Sequence, residues 1–282
     1  MNTKIAVIAD SHGNATALKA VIEDAKKLGV QEYWSLGDIA FGGSSSEDCF
    51  EMLNEVNTTQ YLMGNWESAY LDVIDNKSVD LSDPSDIYFI SLVRYEQQYF
   101  SATRSQQIRD LPMNNEKEIL GTVFSLTHNL PNKNRGHSLF PDKKESNFDK
   151  LEIDKKMDVA IYAHTHTPVW RYTTDGQMIL TPGSVGQPWY SRKKLMHNRD
   201  ASYLVLSLSD SKIEGVDFRR IPYSIDEELA HAKNLGHPYL DLYKKLLMTG
   251  QPSTHDKDVL QKINRQNHYK EKAENFLNQL PK

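Results

Sequence analysis

"KIAVIADSHGNATALKAVIEDAKKLG", residues 4–29, carries the reading that decides the fold class. The apolar run from Ile5 ends in Asp10, as a buried strand ending at a site would. Leu18, Val21, Ile22, Ala25 and Leu28 then recur at helical spacing, and Gly29 can stop the helix. Asn14 stands where a helix-capping side chain belongs, so the helix N-terminus would face an anion near the strand end. Working outward, "EYWSLGD" (32–38) is a second strand that ends in an acid. "SSEDCFEMLNEV" (45–56) reads as a helix with serines available for its start. "TTQYLMGN" (58–65) is a third strand. Strand, helix, strand, helix, strand implies parallel pairing with right-handed crossovers, an α/β architecture.

Between Leu71 and Glu118 the clearest segment, "DIYFISLVRYEQQYFSATRSQQIRDL" (86–111), reads as helix lying over or beside the sheet. "GTVFSLTHN" (121–129) returns to strand, and Pro131 to Asp149 is polar and reads as a long loop. "MDVAIYAHTH" (157–166) is a buried strand that runs into a histidine pair. Asp175-Gly176 marks a hairpin between two strand-like runs, and a second hairpin turns near Asp210. The second half is therefore expected to be mostly antiparallel. Residues 222–282 change character. They contain two short segments closed by Gly236 and Gly250, then a polar tail (256–280) that reads as one long helix. The expected organisation is a domain over 1–221 and a helical extension over 222–282, packed on it as a lid or a homodimer contact.

The 282 residues are enough for a sizeable core, with 39% hydrophobic and 25% charged side chains. A net charge of -5 gives no global basic field to attract nucleic acid, so no stable nucleic-acid partner is expected. Cys49 alone cannot form an intramolecular disulfide and fits a reducing compartment. No run suits a signal peptide or a membrane span, and the expected location is the cytoplasm.

The polar residues at the strand ends form a constellation. Asp10 and His12 follow the first strand, Asp38 the second and Asn65 the third. His128 follows the fourth, and His164 and His166 the fifth. Strand carboxyl ends gather at one edge of an α/β sheet, where ligands bind. In extended chain, residues i and i+2 share a side, which would turn each Asp or His pair toward a common centre. Mixed carboxylate and imidazole donors suit manganese, iron, zinc or nickel, and their number fits two ions. Any one of these residues alone would be read as a cap, a turn former or a buried hydrogen-bonding group.

The ordered series "DSHGN", "GDIAFGG", "GNWE", "TH", "AHTHTP" and "TPGSVGQP" resembles the calcineurin-like metallophosphoesterases, most closely their small bacterial branch. The resemblance runs from residue 4 to about 220. It implies a four-layered α/β/β/α sandwich with the site at the strand carboxyl ends. It also implies that Asp10, His12, Asp38 and His166 hold one metal, and that Asp38, Asn65, His128 and His164 hold a second, with Asp38 shared. Asp38, Asn65 and His128 would then carry the catalytic work. Gly183 and Ser184, in the glycine loop, and Asn14 would approach the substrate.

Trp66 stands where many relatives have a histidine thought to protonate the leaving oxygen. Such proton donation contributes about 10²–10⁴-fold, and an indole N–H cannot supply it. The expected substrate is therefore a small phosphate compound with a good leaving group, a phosphodiester or phosphoanhydride of a nucleotide such as a diadenosine polyphosphate. Trp66, Trp189 and Tyr190 offer faces for a base, and Arg199 a fork for phosphate. His137 and Arg135 are further candidates for substrate contact. A nuclease or a cyclic-nucleotide phosphodiesterase is the alternative activity, and a non-catalytic binding scaffold the alternative of another class. His231, His237, His255 and His268 read as surface or packing residues.

Overall fold

The computed structural model describes residues 2–77, 79–154, 156–210 and 212–280. Two five-stranded sheets form its centre. The first has the order β10-β9-β1-β2-β3 and contains β1 (Thr3–Ile8), β2 (Glu32–Ser35), β3 (Thr58–Tyr61), β9 (Ala201–Ser209) and β10 (Lys212–Ile221). β1, β2 and β3 are parallel, as the alternation with α1 (Ala15–Lys27) and α2 (Ser46–Glu55) requires. β9 joins the free edge of β1 in antiparallel register, so β1 lies in the middle of the sheet. Its alternate residues face opposite ways. Ile5 and Val7 enter the layer between the sheets, whereas Ala6 and Ile8 pack beneath α1 and α2.

The second sheet has the order β4-β5-β6-β8-β7. It comprises β4 (Asn114–Ile119), β5 (Thr122–Thr127), β6 (Val159–Ile161), β7 (Val169–Tyr172) and β8 (Met178–Thr181). Phe124, Leu126, Val159, Ile161 and Leu180 meet Ile5, Val7, Trp34 and Leu206 in the dry inter-sheet layer. The outer face of this sheet is covered by the loop after β5 and a 3-10 helix, Glu145–Leu151, through Leu139, Phe148 and Leu151. The four layers are thus helices, sheet, sheet, and a thin layer of loop and 3-10 helix.

Two expectations are corrected, and one strand is added that the sequence did not mark. Around the stretch read as helical the chain forms α3 (Asn65–Ile74), α4 (Pro84–Glu96) and α5 (Arg104–Arg109), and β4 follows them and pairs antiparallel with β5. β4 is polar and mostly exposed, so it lacks the apolar alternation by which a strand is recognised. The second half is also less antiparallel than its hairpins suggest, because β5, β6 and β8 run parallel and only β4 and β7 oppose them. The tail is not one helix. α9 (Lys257–Gln266) and α10 (Tyr269–Gln279) are separated at His268, which has φ +54°.

The chain beyond β10 continues through α7 (Ile225–Asn234) and α8 (Leu240–Thr249) to this pair. α7 lies against α1, and α9 and α10 lie against α4. No helix among the described residues is long and apolar enough to cross a membrane.

Candidate metal centre and its surroundings

The loops after β1, β2, β3, β5 and β6 converge. One ligand atom each from Asp10, His12, Asp38 and His166 fall within 4.8 Å of one another, and so do atoms of Asp38, His128 and His164. Asp38 belongs to both groups. Its Oδ2 lies 3.7 Å from His12 Nε2 and 3.4 Å from His128 Nε2. Asn65 adds Oδ1, 3.2 Å from His128 Nε2 and 2.6 Å from His164 Nδ1. All seven residues named from the strand ends therefore meet in one place.

The local reason differs from the one the sequence suggests. Asp10, His12, Asp38, His164 and His166 all have φ between +49° and +66°. The chain there is not extended. Each strand breaks into left-handed backbone, a conformation that costs a non-glycine residue about 1–2 kcal/mol. Neighbouring contacts hold it. Asp10 N–H donates to Gly37 O at 3.1 Å and His12 N–H to Asp38 O at 2.9 Å, which stitches the first two loops together.

Glu67, which the sequence reading passed over, fixes the next two. Its carboxylate accepts from Asp38 N–H (2.8 Å), Gly64 N–H (3.0 Å) and Ala40 N–H (3.0 Å), fully buried. The signal was present: Gly64 precedes α3 and an acid follows three positions later, the spacing of a capping box. Burial first, and then the Asp38 charge, push Glu67 up to about 7. Asp38 Oδ1 accepts the Trp66 N–H at the N-terminus of α3, at 2.8 Å.

Each of the four histidines has one ring nitrogen against a backbone carbonyl. His12 Nδ1 faces Phe41 O (3.0 Å), His128 Nδ1 faces Leu36 O (2.7 Å), His166 Nδ1 faces Gln187 O (2.7 Å) and His164 Nε2 faces Gly136 O (3.0 Å). A carbonyl only accepts, so these nitrogens carry the protons. In the neutral ring the opposite nitrogen then turns a lone pair to the centre. His12 Nε2 and His166 Nε2 stand 3.2 Å apart, two lone pairs face to face. Asp10 is wholly buried with neither carboxylate oxygen hydrogen-bonded.

Lone pairs and an orphaned carboxylate converging in a buried space fit divalent cations. For three of the four histidines the electrostatics agree. Burial holds His12 below its ordinary value, and holds His164 and His166 down at about 4 and about 3. Burial works against the charge of Asp38 as well, but His128 and His12 outweigh it and keep that carboxyl below its usual range. Burial would lower His128 too, yet the Asp38 charge raises it to about 9.

A family model for the calcineurin-like phosphoesterase superfamily domain matches residues 3–211. The chain belongs to that superfamily. Membership places it among phosphoester hydrolases. An uncharacterised protein of Methanocaldococcus jannaschii is 27% identical over 240 residues, covering 80% of this phosphoesterase chain and 90% of its own. A metallophosphoesterase from Sphaerobacter thermophilus is similar in structure, with TM-score 0.66, 22% identity and coverage of 88% and 99% of the two chains. A hypothetical protein from Pyrococcus horikoshii OT3 has TM-score 0.68, 20% identity and coverage of 89% and 99%. These two likenesses concern the fold.

The residues assigned to substrate divide. Trp66 and Trp189 border a cavity of about 340 Å³ that also reaches His164 and His166. Trp66 packs edge-on against His12 at 5.2 Å and Phe89 at 5.3 Å. Three others are engaged within the phosphoesterase itself. Asn14 caps α1 through Ala17 N–H and donates to the Tyr223 hydroxyl. Ser184 donates to Asp10 O and accepts from Gln187 N–H. Arg199 donates to Leu247 O and Pro188 O, tying its loop to α8 rather than offering a fork to phosphate.

The glycine loop approaches protein, not an open space. A side chain on Gly183 would meet Pro168 at 2.8 Å, and one on Gly186 would strike Ser11 O at 2.1 Å. Tyr190 is buried, with Arg220 over its ring. Arg135 pairs with Asp72 at 3.7 Å. His137 does border the cavity, and so does His255, which the sequence reading left outside the constellation. His255 comes from a polar loop with no pattern to mark it. A second cavity of about 510 Å³ lies beyond Trp189 and is bordered by Lys143 and Arg192.

Proposed function

We propose that this phosphoesterase is a two-metal hydrolase of a nucleotide phosphodiester or phosphoanhydride, with diadenosine polyphosphates as one specific candidate. The observation that carries the reading is the pair of donor groups that share Asp38. Asp10, His12 and His166 would hold one ion, and Asn65, His128 and His164 the other. Manganese suits this donor set, as do iron, zinc and nickel. Such ions supply Lewis acidity to phosphate oxygens and make water a better nucleophile at neutral pH. The carbonyl-bound ring nitrogens keep each imidazole in the tautomer and orientation that binding needs. Asp38, held from three sides by Trp66, His12 and His128, sets the spacing of the two groups.

Trp66 gives the leaving group no proton. Groups of low pKa depart without one, which favours anhydrides and activated diesters over alkyl monoesters. Trp66 and Trp189 beside the same cavity add a reason for a flat base, since stacking is worth about 1–3 kcal/mol per base.

The test is a substrate panel with manganese: diadenosine tetraphosphate, a phosphodiester, a cyclic nucleotide and an alkyl monoester. Asp38→Asn and His166→Ala serve as controls. Turnover of the anhydride or diester, lost in both controls, is expected. Preference for the alkyl monoester would overturn the account of Trp66. Retention of no metal together with no turnover would turn the reading toward a binding scaffold.

A further inference from the structure

The cavity beside the metal centre is not closed by the two-sheet domain. Trp66, Phe140 and Trp189 form one part of its wall, and Leu242, Leu246 and Pro252 form the other. The second set comes from α8 and the loop that follows it, in the helical extension. Leu242 and Leu246 are one helical turn apart, so they present one apolar face.

That wall is fastened to the loops that carry the metal centre. Glu228, fully buried on α7, accepts from the Tyr243 hydroxyl of α8 at 2.8 Å and from the Thr16 hydroxyl at the start of α1 at 2.7 Å. His237 stacks on Tyr243 with ring centroids 5.2 Å apart, and its Nε2 lies 3.3 Å from Gly42 O in the loop after Asp38. At the far end of α8, Arg199 binds Leu247 O at 3.2 Å. α8 is therefore anchored at both ends and through its buried face.

We propose that α8 and the loop after it, residues 242–255, form a fixed wall of the substrate pocket that selects the organic part of the phosphoester. Its occupant is the base of a nucleoside ester, lying against Trp66 and the apolar side chains of Leu242, Leu246 and Pro252. The cavity volume lies in the range of small-molecule sites, and its contact with His164 and His166 places an attached phosphate at the metal centre. This assignment rests on the phosphodiesterase reading above and adds to it the segment that sets specificity. A wall held in this way discriminates without having to close.

Two diesters with the same leaving group test it: the p-nitrophenyl ester of thymidine 5′-phosphate and methyl p-nitrophenyl phosphate. The readout is the ratio of their kcat/KM values for the full-length manganese-loaded protein. A ratio is insensitive to the fraction of active molecules, so a partly misfolded variant remains informative. The wild-type ratio should be at least about tenfold in favour of the nucleoside ester. Leu246→Gln, which makes the wall polar, and Leu246→Trp, which fills the cavity, should each lower it about tenfold. Met248→Ala, an exposed position on α8 outside the pocket, should leave it unchanged.

A ratio that both Leu246 variants leave intact would overturn the proposal. Hydrolysis of both esters by the wild type with a ratio near one would overturn the pocket and leave the phosphodiesterase reading standing. If the wild type cleaved neither ester, the diester half of that reading would fail and the proposal with it.

Discussion

At Gly64 two loops meet so closely that no side chain fits. A methyl group there would lie 2.1 Å from Asp38 Oδ1, 2.2 Å from Asp38 N and 2.5 Å from Glu67 Oε2. Gly64→Ala should therefore displace Asp38, the residue common to both donor groups. Displacements of about 1 Å at a reacting centre cost on the order of 100-fold in rate. We expect a loss of that size, with reduced metal content measured on the purified variant; full activity would show that Asp38 is less tightly held than its contacts indicate.

Glu96 is a second residue with a measurable signature. It is fully buried, accepts Ser46 N–H at 3.3 Å through Oε2, and leaves Oε1 without a hydrogen bond. Burial is the main cause that pushes it up to about 8. A carboxyl with a raised pKa binds its proton more tightly in the folded state. Its contribution is fully present below the unfolded value near 4.5 and is lost as pH rises through about 8. Glu96→Gln should remove this loss. Urea denaturation should find the variant gaining on wild type between pH 5 and pH 8, by on the order of a few kcal/mol. A difference independent of pH would contradict the assignment.

Among the elements, the break between α9 and α10 depends on one exposed residue in a left-handed conformation. His268 has φ +54°. Glycine adopts this conformation without steric cost, whereas alanine does not. His268→Gly should stabilise the protein by up to about 1 kcal/mol and His268→Ala should not, as read from chemical denaturation midpoints. A polar sequence of uniform helical propensity did not mark this bend. Tyr269 and Leu260, buried beside α4 residues, make it necessary, because a straight helix could not bring both against the same partner. β4 was missed for a related reason. Its partner β5 supplies the backbone hydrogen bonds, and its side chains mostly face outward.

For the molecule as a whole, the proposed metal reading ties metal to stability. On that reading, facing lone pairs and the unpartnered Asp10 carboxyl would destabilise the fold until a cation satisfied them. Binding confined to the native state adds about 2.7 kcal/mol at a hundredfold excess over Kd. Manganese or zinc should raise the melting temperature by several degrees, chelator should reverse the shift, and His12→Ala should reduce it. An unchanged melting temperature would count against the metal reading directly, whatever the substrate.

The seven strand-end residues and most strands and helices were legible in the sequence. Their physical cause is local: apolar runs of period two or 3.6, ended by polar residues and glycine. The four-layer architecture was legible only through family resemblance. The backbone at the centre was not legible, because left-handed Asp and His residues persist only where other loops hold them. Nor were the roles of Asn14, Ser184 and Arg199, whose side chains suit a ligand as well as the neighbours they bind. Above all, the sequence left α8 as an appendage. Only packing shows Leu242 and Leu246 beside Trp66, because residues about 180 positions apart share a wall when Glu228 and His237 fasten α8 to the start of α1 and to the loop after Asp38.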